Sequence, residues 1–377
     1  MEYTKYKFND ICLKKGFVRG PFGSALKKSL FVPKGKDTYK VYEQCVPLEQ
    51  NKYGGNYYIS GDYFRNALSR FEVKDNDFLV SCSGVNYGAI YHLQEPFEKG
   101  VINQALLIIR IDNTIVDYNY FKYLFRVVLR KIITTGTGDS TIPNFPSIDV
   151  IKDIDVYLPS FNEQQKIGNV LNEIESKIKT NNAINDNLQQ VIKSCFDFMF
   201  ATRKPNGIIS DILQEHPKST IQVNDSTGVF GDYPFFTSGE AINEWQSALV
   251  DGMNCYLSTG GNATIKGYYG KAAYSTDTWC VCGKGEYSFY LFCYLKSIIR
   301  SINDSFFAGS GLKHLQKDSL LLVNLYIPSE KELEKFNSIV KPAMETMTKL
   351  FLETKKLKQQ RDFLLPLLMN GQATIAE

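Results

Sequence analysis

The chain has 377 residues, 44% of them apolar and 22% charged, with a formal net charge of +3. That length exceeds one ordinary core and points to two domains, and the composition excludes a disordered chain. There is no apolar run of the ~18–20 residues that cross a bilayer and no apolar signal core, and eight scattered cysteines with three histidines offer little to zinc, so a cytoplasmic protein with reduced thiols and no metal is expected.

Residues 1–40 hold ten Lys/Arg against three acids, a local surplus suited to a polyanion. Within them, "GPFGSALKK" carries Gly20, Pro21 and Gly23, which predict an irregular exposed loop. Arg19, Lys27 and Lys28 flank it. Such cations neutralise phosphates, Arg also bonds guanine bidentately, and the Ser24 hydroxyl suits a phosphate oxygen. A solvated turn is the plain alternative.

The runs "YKVYEQCVPL", "NYYIS", "DFLVSCS", "GAIYHL" and "QALLIIRI" read as strands between Gly, Asn and Asp breakers. "SCSGVNYG" places Ser83, Asn86 and Tyr87 beside glycines. Asn pairs with adenine N6/N7, and glycine lets a backbone approach a duplex; a self-satisfied hairpin is the alternative. From Asp117, "DYNYFKYLFRVVLRKII" has Phe121, Leu124, Phe125, Val128 and Leu129 at helical spacing. "TTGTGDST" follows, with Thr137, Ser140 and Thr141 as further candidate contacts.

The next segment occurs twice. "YLPSFNEQQKIGNVLNEIESKI" begins at Tyr157, and "YIPSEKELEKFNSIVKPAMETM" at Tyr326. At the same offset "EYSFYLFCYLKSIIRSI" from Glu286 lies over the helix from Asp117, and "LSTGGN" (Leu257–Asn262) resembles "SCSGVN" (Ser81–Asn86). Two copies indicate a duplication, too few for a solenoid. The second copy offers Thr259, Asn262, Lys266, Ser310, Lys313 and His314 as candidate contacts. Residues 201–325, however, hold ten basic and eleven acidic side chains, which predicts weak binding to DNA by this half alone.

Steps of four and three from Ile167 give Leu171, Ile174, Ile178, Asn181, Asn185, Leu188 and Ile192; the later copy gives Val340, Met347, Leu350, Thr354, Leu357 and Leu364. So narrow a seam predicts two long helices packed on each other, with its polar members setting register. Pro342 predicts a kink or a late helix start. Heptads leave the direction open. Antiparallel pairing would relate the copies by a two-fold axis, matching paired half-sites about 34 Å per DNA turn apart.

The segments "GFVRGPFGSALKKSLFV", "DFLVSCSGVNYGAIY", "GVINQALLIIRI" and "TTGTGDSTIPNF" resemble a target recognition domain of type I restriction–modification specificity subunits. "LPSFNEQQKIGNVLNEIESKIKTNNAINDNLQ" resembles that family's spacer helix, and "LKQQRDFLLPLLMNGQ" its C-terminal counterpart. Nearly the whole chain is covered, with the second recognition domain the more divergent. The resemblance implies an α+β fold in which two similar mixed α/β recognition domains (1–156 and 203–325) are joined by two long antiparallel coiled-coil helices (157–202 and 326–377, the latter with the C-terminal tail) with pseudo-two-fold symmetry. It implies double-stranded DNA with a bipartite site as ligand, and two adenine-methylating modification subunits as partners, with restriction subunits as a further option. S-adenosylmethionine is expected in the modification partners, and neither cofactor nor catalysis in this chain.

The residues agree with that last expectation. No Pro-Pro occurs for an adenine methylase turn, "GYYGK" is not a Walker loop, and "GTGDST" lacks the third glycine of a dinucleotide fingerprint. The specificity subunit of a combined nuclease–methylase system and a DNA-indifferent coiled-coil scaffold are the alternatives.

Overall fold

The computed structural model describes residues 3–84, 86–135, 145–309, 311 and 313–375. The chain divides into two compact units, Met1–Ser176 with Lys358–Glu377, and Lys177–Leu357. The first is built on β1 (Thr4–Lys7), β2 (Cys12–Arg19), β3 (Thr38–Tyr42), β4 (Tyr58–Ser60), β5 (Phe78–Ser81), β6 (Ile90–His92), β7 (Gly100–Ile102), β8 (Leu106–Ile111) and β9 (Asp155–Leu158). They form a four-stranded sheet in the order β2-β8-β5-β6, a three-stranded sheet β4-β3-β7, and the pair β1-β9.

The second unit is built on β10 (Gly207–Ile208), β11 (Leu213–Glu215), β12 (Tyr233–Phe236), β13 (Ile242–Trp245), β14 (Met253–Ser258), β15 (Ile265–Tyr269), β16 (Ala273–Tyr274), β17 (Thr278–Gly283), β18 (Phe307–Ala308), β19 (His314–Leu315) and β20 (Asn324–Leu325). Its sheets run β11-β17-β14-β15 and β13-β12-β16, with pairs β10-β20 and β18-β19. In the two larger sheets the order matches the first unit strand for strand, while the pair β18-β19 has no counterpart among the described residues of the first. Even the odd pairing recurs, since β3·β7 and β12·β16 are both parallel where their neighbours are antiparallel. The duplication legible in the sequence is a duplicated topology.

The central strands are apolar throughout because both faces are covered. Phe78, Val80, Leu107 and Ile109 enter one core together with Phe121 and Phe125 of the helix Tyr118–Thr135. Leu79, Leu106 and Ile108, their alternating neighbours, enter a second core with Val41, Tyr42 and Ile59 from the smaller sheet. Strand period two thus divides one apolar run between two cores. One expected strand is partly wrong. In "YKVYEQCVPL" the strand stops at Tyr42 and Cys45–Glu49 is helical. Pro47 has no N–H for a sheet ladder, whereas the first helical turn needs none there. The counterpart of the 118–135 helix is also broken, into Ser288–Ser297 and Ile299–Ser305.

The repeated Tyr-aliphatic-Pro-Ser segments are helix starts. Ser160 Oγ accepts from the Glu163 amide at 3.4 Å; Ser329 Oγ accepts from that of Glu332 at 3.5 Å, whose carboxylate accepts the Ser329 amide in return at 3.0 Å. Such capping satisfies amides that the helix itself leaves unpaired. The helices that follow, Phe161–Phe200 and Glu330–Met369, have 40 residues each and contribute to both units. The late start suggested by Pro342 does not occur: the second helix runs through it, and the Pro342 carbonyl accepts from Thr346 Oγ1 at 2.9 Å.

Within each unit the long helices run in opposite directions. In the first, Ile167 and Leu171 share a core with Leu368, Met369 and Leu364. In the second, Phe200 lies against Phe336, while Asn181 Nδ2 donates to Thr354 Oγ1 at 3.3 Å and to Glu353 Oε2 at 2.9 Å. Ile167, Leu171, Ile178, Asn181, Ile192, Val340 and Thr354 are buried; Ile174, Asn185, Leu188, Met347, Leu350, Leu357 and Leu364 are half-buried. Two polar seam residues read from the sequence therefore meet each other. Gly168 permits the first long helix to touch the 118–135 helix, since a Cβ there would stand 2.6 Å from the Tyr120 nitrogen. Among the described residues no helix is long and apolar enough to cross a membrane.

His92 makes stability depend on pH. Its ring packs against Phe78 (4.5 Å) and Tyr118 (5.0 Å), and burial pulls the imidazole down to about 4 from 6.5. Between these values the unfolded chain binds the extra proton, so stability is full above pH ~6.5 and falls as pH drops toward 4, by on the order of 3 kcal/mol. The variant His92→Gln should flatten denaturant-derived stability over that window. An unchanged profile would show that another group is responsible.

Candidate nucleic-acid interface

In the first unit the interface is organised by the end of β2. Arg19 is paired opposite Leu107, and Gly20 then donates to the Leu106 carbonyl at 3.0 Å. Only glycine fits there, because a Cβ would run into the Asn103 carbonyl. The chain turns outward through Pro21 and Phe22, makes a short 3-10 turn at Gly23–Leu26 anchored by buried Leu26, and leaves Ser24, Lys27 and Lys28 exposed. Among the described residues neither lysine has an ion-pair partner. The expected exposed loop is present. The sequence reading missed Phe22, which is 86% exposed between two glycines and has no packing role; an apolar ring so placed is suited to a binding contact.

Arg19 also reaches the "SCSGVN" turn. Its guanidinium lies near the Cys82 thiol, which burial pushes up to about 12 while the Arg19 charge opposes the rise. Beside it, Ser83 Oγ donates to Gln44 Oε1 at 3.3 Å, and the Gln44 amide donates to Ser81 Oγ at 2.7 Å and to the Ser83 carbonyl. Asn86 is exposed in the turn that continues to Gly88, and Tyr87 stands edge-on to Phe145 at 6.3 Å. Arg19 and Ser83, far apart in sequence, are thus neighbours. Thr137, Ser140, Thr141 and Ser310 lie outside the described residues.

In the second unit the corresponding turn follows β14. Ser258 faces Thr278 as Ser81 faces Leu106, and the next amides, Thr259 and Cys82, donate to the carbonyls of Asp277 and Ala105. Cys82 therefore answers to Thr259, and Gly84 (φ 75°) to Gly261 (φ 78°). The register taken from the sequence, which laid Ser81 on Leu257, is one residue out. Similar letters aligned the glycines differently from the hydrogen bonds.

Thr259 Oγ1 donates to the Asp277 carbonyl at 2.8 Å, and Asn262 is exposed with its carbonyl accepting from Ser258 Oγ at 2.7 Å. Exposed Lys313 and His314 are brought against this turn: the Gly261 amide donates to the Lys313 carbonyl at 3.0 Å, and His314 bridges to Gly260. Lys266 is not part of the group. Its ammonium donates to the carbonyls of Thr237 (3.1 Å), Ala241 (3.3 Å) and Gly239, so its N–H groups are taken up within its own loop. Beside Thr259 opens a cleft of about 660 Å³, reached also by His216, Lys218, Asp277 and Lys317. Those four escaped the sequence reading because they come from separate connections with no motif of their own. Among the described residues no group of three or more His, Cys, Asp or Glu is arranged to hold a metal ion.

Residues 31–190 match the family model described as a type I restriction modification DNA specificity domain. That stretch of the chain is similar to the family's DNA specificity domain. Over 348 residues it is 22% identical to the type I restriction enzyme MjaIX specificity subunit of Methanocaldococcus jannaschii, covering 81% of this chain and 79% of that one. The EcoDI specificity subunit of Escherichia coli is 27% identical over 151 residues, 38% of this chain and 33% of its own length. In fold, the crystal structure of a type I restriction-modification system S subunit from M. genitalium superposes with a TM-score of 0.65 at 16% identity, covering 97% of this chain and 96% of that one. The matched domain starts after the Arg19–Lys28 loop, so the basic corner rests on its own geometry.

Proposed function

We propose that the chain is the DNA sequence-specificity subunit of a type I restriction–modification complex. The observation that carries this is the repeated topology, β2-β8-β5-β6 with β4-β3-β7 and β11-β17-β14-β15 with β13-β12-β16, in a chain whose residues 31–190 match a DNA specificity domain. Two equivalent readers imply two half-sites, the unread gap between them being set by the long helices. Residues 1–156 and 203–325 are the readers, and 157–202 and 326–377 the spacer. Arg19, Lys27, Lys28 and Ser24 contact backbone phosphate, while Ser83, Asn86, Tyr87, Thr259, Asn262, Lys313 and His314 lie toward the bases. The chain itself is non-catalytic and holds no cofactor. Two modification subunits supply S-adenosylmethionine and methylate adenine in the cytoplasm, with restriction subunits joining for cleavage.

Sequencing the methylome of cells that carry this chain with its modification partners tests the proposal. Two short half-sites separated by a constant gap are expected. Methylation at one undivided short site would overturn it.

A further inference from the structure

Residues 201–325 contain ten basic and eleven acidic side chains, too even a balance to draw in DNA by net charge. The charges are nonetheless sorted in space. Lys218 and Lys317 line the cleft beside the β14 turn, and exposed Lys313 adjoins His314 at its edge. Among the described residues none of the three lysines has a carboxylate in ion-pair range; Lys317 Nζ instead lies 4.8 Å over the Trp279 ring. Of the acids present, Glu215 is engaged by the Trp279 indole N–H at 2.6 Å. Asp277 is exposed and lines the cleft.

The position of this cleft is not arbitrary. Along the equivalent strands β8 and β17, Leu106 answers to Thr278, because they face Ser81 and Ser258. Arg19 stands opposite Leu107. In the second unit β11 pairs Glu215 with Val281, and the His216 amide donates to the Cys280 carbonyl at 3.0 Å. The residue opposite Trp279 is then Pro217, so the Pro217–Lys218 corner occupies the place of Arg19–Gly20. Tyr274 Oη holds that corner by donating to the Pro217 carbonyl at 2.6 Å. The second unit thus has a basic corner of its own at the equivalent position, hidden in the sequence by unrelated letters.

Resting on the DNA-reading function above, we propose that the second unit reads its half-site through this cleft, with Lys218 and Lys317 on backbone phosphates and Asp277 and His314 against base edges. Asp277 has the acceptor geometry for the N4 amino group of cytosine, and the His314 imidazole suits the N7 edge of a purine. The lysines supply the attraction and register that net charge does not.

The test uses the complex assembled with its modification partners and a duplex carrying the site found by methylome sequencing of the wild type. Asp277→Asn and His314→Ala should relax or change one or two positions of one half-site, leaving the other half-site and the gap as they were. Lys218→Gln should lower affinity about tenfold for every site variant and reduce the slope of log affinity against log salt by about 1. The Lys218 side chain is exposed, so this variant does not depend on the fold tolerating a core change. Wild-type affinity, salt slope and methylation pattern in all three variants, while Arg19→Glu weakens the same complex, would overturn the cleft assignment and leave the specificity function standing. A wild-type complex with no bipartite site would instead remove the function on which the assignment rests.

Discussion

Phe336→Ala is expected to lower the stability of the second unit by about 3–5 kcal/mol, the cost of emptying a fully buried aromatic site. Phe336 is wholly inaccessible, and the rings of Phe200, Phe196 and Tyr290 surround it at 5.3, 6.3 and 6.4 Å. It is where the start of the second long helix meets the end of the first, so the truncation strips packing from both the first long helix and the 288–297 helix. Denaturant unfolding of the purified chain measures the effect. Phe336→Leu, which keeps most of the volume, should cost less than half as much. A change below about 1 kcal/mol for the alanine variant would mean that the cluster collapses onto the gap, or that the helix pair gains little from it.

The second large effect concerns binding. Reversing three charges of the first unit, Arg19→Glu, Lys27→Glu and Lys28→Glu, should weaken binding of the assembled complex to its site by about 100-fold or more. The slope of log affinity against log salt should fall by about 2–3, because each phosphate that the protein no longer neutralises keeps its condensed counterion. All three side chains are exposed, so assembly and thermal stability should be little changed. Arg19 lies near the Cys82 thiol, and the two lysines have no ion-pair partner among the described residues. A DNA-indifferent scaffold would show no change in either quantity, so one salt titration separates that reading from the one proposed.

The long helices show how far a linear pattern reaches. The heptad seam located both, and Asn181 and Thr354 were expected to set register; they are hydrogen-bonded to each other at 3.3 Å. Of the kink or late start expected at Pro342, the late start does not occur, because one missing amide in a 40-residue helix is outweighed by the flanking burial of Val340, Ala343 and Met344. The recognition turns were found by their glycines, yet aligned one residue out, since hydrogen-bond register is not written in residue type. Lys266 read as a free cation in "STGGNATIKG", but three carbonyls of residues 237–241 surround it. Nothing local in the sequence announces such a partner.

By itself the sequence determined that the chain is duplicated, that each copy ends in a long helix with a narrow apolar seam, and that a basic glycine-bounded loop leaves the first copy exposed. These are properties of neighbouring residues: period, caps and turn formers act within one or two helical turns. Only the tertiary structure decided that the helices run in opposite directions, because a heptad reads alike from either end. It alone placed Arg19 beside Cys82 and Lys218 beside Thr259, because strand order brings together residues whose intervening chain carries no record of the meeting.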